Sequence, residues 1–417
     1  MTDLHVHMDG VPVGVLTQSD RGALSFTYLP EYPEDATPLS LSMPIRARHH
    51  RGRVVHAYFS GLLPDRQETL ERWGREYGVS PNNPFALLAH TGRDVAGALQ
   101  ILPVGEVPDD GRSGPKDFAV ISDAEVGAMV HSLATHPTSW DAGRASGRWS
   151  LAGAQAKLAL FRTADGAWAI PSGPTPTTHI LKPAISGLDD HELNEALSLR
   201  AAAACGLPVA HASVEEMPTA GSVFVTQRYD RLFDGRSWVR LHQEDFCQAL
   251  GVEPSKKYQD DGGPGVGDIA RIFDLITQPA RSAETSRTMF RALVFNVTIG
   301  NTDAHAKNYS ILLRDKDIRL APLYDLASIW AYRSREEPGT RSAMKIGEHT
   351  LLSQITGKDW VVVGRRLRIP ESESLQIIDE VRSRVAQGYV DALAGMPPSL
   401  RERAGNLVDR IVAGIEH

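Results

Sequence analysis

A chain of 417 residues is too long for one hydrophobic core, so two or three domains are expected. At 42% hydrophobic and 23% charged residues it is an ordinary globular sequence, which excludes a disordered or low-complexity chain. A net charge near −7 excludes a surface that wraps nucleic acid as a whole, though not a local basic patch. Cys205 and Cys247 both sit in apolar helical patterns and read as buried thiols of a reducing compartment, not as a disulfide or a metal pair. The opening MTDLHVHMDG has neither the basic nor the apolar region of a secretory signal, and no apolar run reaches the length of a bilayer span. A cytoplasmic protein with no membrane partner is expected.

Residues 1–105 read as a first, α/β subdomain. Leu4 to Met8 alternates as a strand, Asp9-Gly10 turns it into Val11 to Leu16, and Leu24 to Leu29 is a third strand. Pro38 to Pro44 reads as another strand, closed by prolines at both ends. The run Arg46, Arg48, His49, His50, Arg51 and Arg53 reads as a solvated loop, with an acidic partner or a DNA backbone as the minority reading. Helices are predicted over Val54 to Leu63, from Leu63-Pro64-Asp65 to Tyr77, and from Asn83-Pro84-Phe85; Gly92 to Gln100 then leads into a strand ending at Leu102.

Residues 106–145 read as linker and helix. The stretch 103–117 is rich in Pro, Gly and Asp, and Ser122 with Glu125 has the capping-box spacing for a helix to Ala134. Residues 146–235 turn to β from Arg148. Lys157 to Arg162 alternates, Asp165-Gly166 turns into Trp168 to Ile170, and Thr178 to Lys182 is a third strand. A long helix, Leu188 to Ala204, closes at Gly206, and strands at Ala212 to Val214 and Val223 to Thr226 follow. A small antiparallel sheet with one helix after its third strand has the order of a kinase N-lobe. Residues 236–417 are largely helical, over Gln243 to Leu250, Gly267 to Leu275, Ser286 to Ile299, Leu352 to Ile355, Trp360 to Leu367, Glu373 to Ala394 and Leu400 to Ile415. One hairpin, Ile311 to Leu313 and Ile318 to Leu320, interrupts them.

The chemistry gathers on Asn301-Thr302-Asp303-Ala304-His305-Ala306-Lys307-Asn308 and Tyr324-Asp325. An Asp, an Asn five positions on, and a second Asp after a hairpin are what a magnesium-dependent phosphoryl transferase needs, and protein kinases use the same D-x-x-x-x-N spacing. Asp303 is the expected base toward a hydroxyl substrate; the bland alternative is a turn aspartate. Asn308 offers magnesium a hard carbonyl oxygen, and Asp325 a carboxylate, against the readings of turn residue and helix N-cap. Lys307 either neutralises the transferring phosphoryl group or is solvated. His305 either holds the loop or faces the ligand. Upstream, Ala152-Gly153-Ala154-Gln155 lets backbone N–H groups face phosphates, although a lone glycine between strands is commonly a plain turn. Lys182 ends the third strand and can reach the phosphates, against the reading of a solvated edge lysine. Glu195 on the next helix is its orienting partner, with Glu192 one turn earlier as competitor.

These residues, in this order, closely resemble the HipA family, the serine/threonine-kinase toxins of bacterial type II toxin–antitoxin modules. The resemblance runs nearly end to end. It is carried by Pro38 to Pro44, Gly61-Leu62-Leu63-Pro64-Asp65, Gly92 to Leu99, Ser150 to Lys157, Pro174 to Lys182, Asn194-Glu195, Arg228-Tyr229-Asp230-Arg231, Gln243 to Gln248, Lys257 to Gly265 and the 301–308 stretch. It implies an α+β, bilobal protein-kinase-like fold of the phosphoinositide-kinase-like type, with a largely helical C-lobe. It implies ATP and Mg2+ bound by Ala152, Gly153, Ala154, Gln155, Ala156, Lys157, Lys182, the hinge Gln227, Arg228 and Tyr229, then His305, Ala306, Lys307, Asn308, Tyr324 and Asp325. Asp303 would be the catalytic acid/base. Ser150, an ordinary turn serine on the residues alone, would be an autophosphorylation site that ejects the phosphate loop and switches the kinase off. The resemblance also implies a HipB-like helix-turn-helix antitoxin, operator DNA met mainly through that complex, and an aminoacyl-tRNA synthetase as the protein substrate, whose phosphorylation arrests growth and provokes persistence.

Two rivals keep the fold and change the class: a catalytically idle co-repressor that helps an antitoxin on DNA, and a kinase of a small molecule or lipid. The complete set Lys182, Asp303, Asn308 and Asp325 counts against the first, and the toxin-like N-terminal motifs count against the second.

Overall fold

The structure, a computed structural model, describes residues 2–108, 117–137, 149–172, 175–334 and 337–416. Residues 109–116 and 138–145 of the expected linker, Arg148 and Pro174 lie outside the described residues. The chain packs as two compact units: Met1–Pro183 with Glu215–Ser255 and Leu312–Lys316, and Ala184–Val214 with Lys256–Ile311 and Asp317–His417.

The first unit holds two large sheets and a short two-stranded hairpin. The N-terminal one is antiparallel, in the order His49–Arg51, Leu24–Tyr28, Val11–Gln18, Thr2–Met8, Leu99–Pro103. Its first turn puts Asp9 and Gly10 at φ 47° and 84°, the left-handed pair that suits the twist of a two-residue hairpin. Helices Arg53–Ser60, Gln67–Tyr77 and Pro84–Thr91 accompany it, the last capped by the Asn83 side chain. The second sheet runs Gly221–Gln227, His179–Lys182, Leu158–Arg162, Trp168–Ser172, Asp117–Ile121. One cluster of buried side chains continues through both sheets, from Leu4, Phe26 and Leu88 to Leu158, Leu181 and Val225.

The second unit is helical. His191–Ala204 packs on Glu371–Ala392, which also receives Pro279–Thr298, Gly357–Arg366 and Arg401–Glu416. Gly388 and the Ala-rich helix 191–204 let the backbones approach: a Cβ at Gly388 would lie 3.1 Å from the Ala201 carbonyl oxygen. Ser198 and Tyr389 share a buried 2.7 Å hydroxyl contact across this packing. Cys205 and Cys247 are buried, and neither is in a disulfide.

Several local expectations fail for identifiable reasons. Pro38 to Pro44 is no strand but a turn with a single Ser40–Met43 bridge. Its end prolines supply no N–H, and its interior is bonded by side chains, Ser40 Oγ and Leu41 N–H donating to the Glu244 carboxylate at 2.6 and 2.9 Å. Burial pushes that carboxyl up to about 8. The helix expected over Gln243 to Leu250 is the strand His242–Asp245 followed by the helix Phe246–Ala249, because Asp245 caps the helix reciprocally with Gln248. Leu158 to Phe161 does not alternate; all four are buried, since both faces of this strand are covered. The strand Asp117–Ile121 and the hairpins Arg231–Phe233/Trp238–Arg240 and Arg341–Ile346/His349–Leu351 are short, weakly patterned elements that were not foreseen.

Candidate active site

The 301–308 loop is launched by the end of helix Pro279–Thr298. Gly300, at φ 64°, lets the Gly300 N–H reach the Val297 carbonyl (3.1 Å) and the Asn301 N–H reach the Asn296 carbonyl (2.8 Å), a Schellman ending. A side chain at Gly300 would also meet Trp330 at 2.6 Å. Two buried asparagines then set the loop: Asn301 donates to the Asn296 amide oxygen (2.9 Å), Asn296 donates to the Tyr309 hydroxyl (2.7 Å), and Asn301 Oδ1 accepts the Asp303 N–H (3.1 Å).

Asp303 and Asn308 are coupled through the backbone. The Asp303 carbonyl accepts both the His305 N–H and the Asn308 side-chain amide, each at 2.7 Å. Asn308 thereby spends a donor on the loop and keeps its carbonyl oxygen as the end suited to a hard cation. The Asp303 carboxylate, by contrast, is 58% exposed, as a group that meets an incoming hydroxyl must be. His305 is buried, with its ring edge against Tyr258 and its Nε2 3.7 Å from Asp303 Oδ1, so the holding role is the one its surroundings favour.

Asp325 does not cap a helix. It sits at φ 59°, irregular chain follows it, and it is Ser328 that caps the short turn Ile329–Ala331. Two tethers fix this segment. The Tyr324 hydroxyl donates to the Lys307 carbonyl (2.8 Å) and contacts Ser310 Oγ (2.7 Å), tying Tyr324-Asp325 to Lys307-Asn308. Asn194, fully buried beside Glu195, exchanges two 2.8 Å hydrogen bonds with the Ser328 backbone. Reading the residues one by one gave Tyr324 and Asn194 no such tethering duty; their value lies in pairing with segments remote in sequence.

In the first unit the expected phosphate loop is a turn built around a glycine. Gly153 adopts φ 113°, and a Cβ there would lie 2.6 Å from Lys157 Nζ, which donates to the Ala152 carbonyl at 2.6 Å. Ala154 is exposed at the tip, Ala156 is buried, and Gln155 donates to the Pro183 carbonyl, next to Lys182. Lys182 pairs with Phe224 in the sheet and lies over its ring, Nζ 5.2 Å from the centroid. Ser150 is fully buried: its Oγ donates to the Leu62 carbonyl (2.8 Å) and its N–H to the Asp94 carbonyl (3.0 Å), while Gly153 accepts the Asp65 N–H.

At the expected hinge, Gln227 ends its strand opposite His179, and Tyr229 donates to Gln243. The Arg228 side chain faces the interior. It makes a two-pronged contact with Asp230 (3.0 and 2.8 Å) and donates to Thr177 Oγ1 and the Val95 carbonyl, while its backbone N–H donates to the Thr178 carbonyl (2.9 Å) and its carbonyl accepts the Arg231 N–H (3.2 Å), so its side chain and backbone are both engaged within the protein. Arg231 completes the cluster, donating to Asp94 (2.7 Å) and to the Gly97 carbonyl (2.8 Å). Burial opposes the charge on Asp94, but Arg231, Arg228 and Arg240 outweigh it and hold the carboxyl well below the usual range. Burial and Arg228 pull Arg231 down to about 10.

Residues 149–389 match the HipA-like C-terminal domain, and residues 4–102 match the HipA N-terminal domain. The chain belongs to the HipA family. Two curated proteins illustrate the spread. A putative kinase Y4mE of Sinorhizobium fredii is 41% identical, over 86% of this chain and 84% of that protein. The serine/threonine-protein kinase toxin HipA of Shewanella oneidensis is 28% identical, over 95% and 90%. Among solved structures, a chain of the Shewanella oneidensis MR-1 complex of HipA, HipB and operator DNA superposes with a TM-score of 0.82 at 24% identity, over 99% of this chain and 96% of that one. The bilobal α+β fold with a β-rich N-terminal part and a largely helical C-lobe, expected from the sequence, is thus a HipA fold. Among the described residues, no helix is long and apolar enough to cross a membrane.

Proposed function

We propose that this HipA-family chain is an ATP- and Mg2+-dependent protein serine/threonine kinase, the toxin of a type II toxin–antitoxin module. The observation that carries the reading is the 301–308 loop, in which the Asp303 backbone carbonyl binds the Asn308 amide while the Asp303 carboxylate stays exposed. Asp303 accepts the proton of the substrate hydroxyl. Asn308 and Asp325 would hold Mg2+, which supplies charge neutralisation on the transferred phosphoryl group; the 152–157 loop and Lys182 would hold the ATP phosphates, with Glu195 as the acid that orients Lys182. The residues fit such a ligand set: hard oxygens on Asn308 and Asp325, and a glycine conformation at 153 that brings backbone to the cradle surface. Incubation with γ-labelled ATP and lysate tests the reading. Label should appear on the chain itself and on a protein target. No transfer to either would leave a binding module.

A HipB-like antitoxin and operator contact through it are supported by the Shewanella oneidensis complex, which holds HipA, HipB and operator DNA. An aminoacyl-tRNA synthetase remains the proposed target class, to be checked by phosphoproteomics after induction.

Ser150 is proposed as the self-inactivating site. A phosphoryl group of about −1.5 to −2 charge cannot replace a hydroxyl that donates to the Leu62 carbonyl, so the modified loop must leave. Wild-type activity should decay during incubation with ATP, with mass spectrometry finding phosphate on Ser150, while Ser150→Ala stays active. An unmodified Ser150 in a decaying enzyme would remove the self-inactivation reading and leave the kinase.

A further inference from the structure

The loop Lys257 to Gly265 holds a tyrosine against the base. The Tyr258 hydroxyl donates to Asp303 Oδ1. Several contacts hold Tyr258 and its turn in place. Its ring packs perpendicular to the buried His305 imidazole, centroids 4.9 Å apart at 87°, and Lys257 Nζ lies 5.6 Å from its centroid. The preceding carbonyl, of Lys257, accepts the Ala306 N–H at 3.2 Å, so the loop is stitched to the same turn that carries Asp303. The Tyr258 carbonyl accepts the N–H groups of Asp261 (3.1 Å) and Gly263 (2.9 Å). A Cβ at Gly263 would lie 2.0 Å from the Lys256 carbonyl oxygen, so the turn closes only around glycine. Gln259 adds a second anchor by accepting the Lys345 N–H at 2.7 Å.

An aspartate that is mostly exposed samples several rotamers unless something holds its carboxylate. We infer that Tyr258 is a positioning residue for Asp303: its hydroxyl fixes the carboxylate rotamer from which the base accepts a proton from the substrate hydroxyl. The inference rests on the kinase reading and on Asp303 as its base. The opposing possibility, that the phenol occupies the place of the substrate hydroxyl as a brake, requires a side chain free to withdraw. Tyr258 is instead built into the turn on both sides.

Tyr258→Phe keeps the ring against His305 and removes only the hydroxyl. Self-phosphorylation of the full chain, followed as label incorporated at saturating Mg-ATP, should slow about ten- to hundredfold, while the half-saturating ATP concentration changes less than about twofold. A purely structural role would instead raise the half-saturating ATP concentration together with the loss of rate. An unchanged or faster Tyr258→Phe enzyme, beside an inactive Asp303→Ala, overturns the positioning role and leaves the kinase reading intact. An Asp303→Ala enzyme that still transfers label, or a wild type that never does, overturns the kinase reading and this inference with it.

Discussion

Asp303→Ala should lose phosphoryl transfer by about two to four orders of magnitude while binding Mg-ATP as wild type does, the general-base contribution being of that size. The substitution is clean because the loop does not depend on the side chain. The Asp303 carbonyl holds His305 and Asn308, and its N–H is held by Asn301, and all three bonds survive in alanine. Asp325 is the contrasting case. It occupies the left-handed region at φ 59°, where alanine would add backbone strain to the loss of the carboxylate, so Asp325→Asn is the informative variant: asparagine tolerates that conformation and is nearly isosteric. Asp325→Asn should lower Mg-dependent ATP affinity, read by calorimetry with and without Mg2+. Equal loss of nucleotide affinity in both variants would contradict the division into base and metal ligand.

Asp94→Asn should destabilise the first unit by about 3–5 kcal/mol, the cost of removing one partner from a buried ion cluster. Three guanidiniums, of Arg228, Arg231 and Arg240, face two carboxylates, of Asp94 and Asp230, and Arg228 and Arg231 are 2% and 0% exposed. Asp94 also accepts the Thr177 N–H and hydroxyl at 2.9 and 2.7 Å. Without its charge, three buried cations remain against Asp230 alone. Urea unfolding followed by fluorescence of Trp149 and Trp168, both in this unit, measures the loss. A shift of less than about 1 kcal/mol would mean the cluster does not hold the unit together. Because the Asp94 backbone carries the Ser150 N–H, the same variant should also expose the 149–157 loop to proteolysis.

What was legible in the sequence is what is local. Asp303 and Asn308 lie five positions apart within one rigid loop, Ser122 caps with Glu125 as its spacing predicts, and Asp9-Gly10 turns as its composition demands. What was illegible depends on partners far away along the chain. Tyr258 meets Asp303 across 45 positions, and Gly97 meets Asp230 across 133. Arg228 shows the gap most clearly. At the end of a strand in a kinase-like sheet it was expected to face a nucleotide. Its guanidinium turns inward because Asp94, Asp230 and Thr177 converge there, and the motif Arg228-Tyr229-Asp230-Arg231 was the only trace of that convergence in the sequence. Likewise Pro38 to Pro44 looked like a strand because its prolines mark an edge, whereas Glu244, remote in sequence, folds it into a turn.

The Ser150 hydroxyl has no solvent exposure. An acceptor in that position can be modified only during excursions in which its loop has left the Leu62 and Asp94 carbonyls. The rate of the proposed self-modification would then be the transfer rate multiplied by the fraction of molecules caught open. Each ~1.4 kcal/mol added to the opening free energy lengthens the active interval about tenfold without touching a residue that meets the substrate. Under the self-inactivation proposed above, the buried serine would act as a timer, set by how firmly the N-terminal subdomain grips one turn of chain.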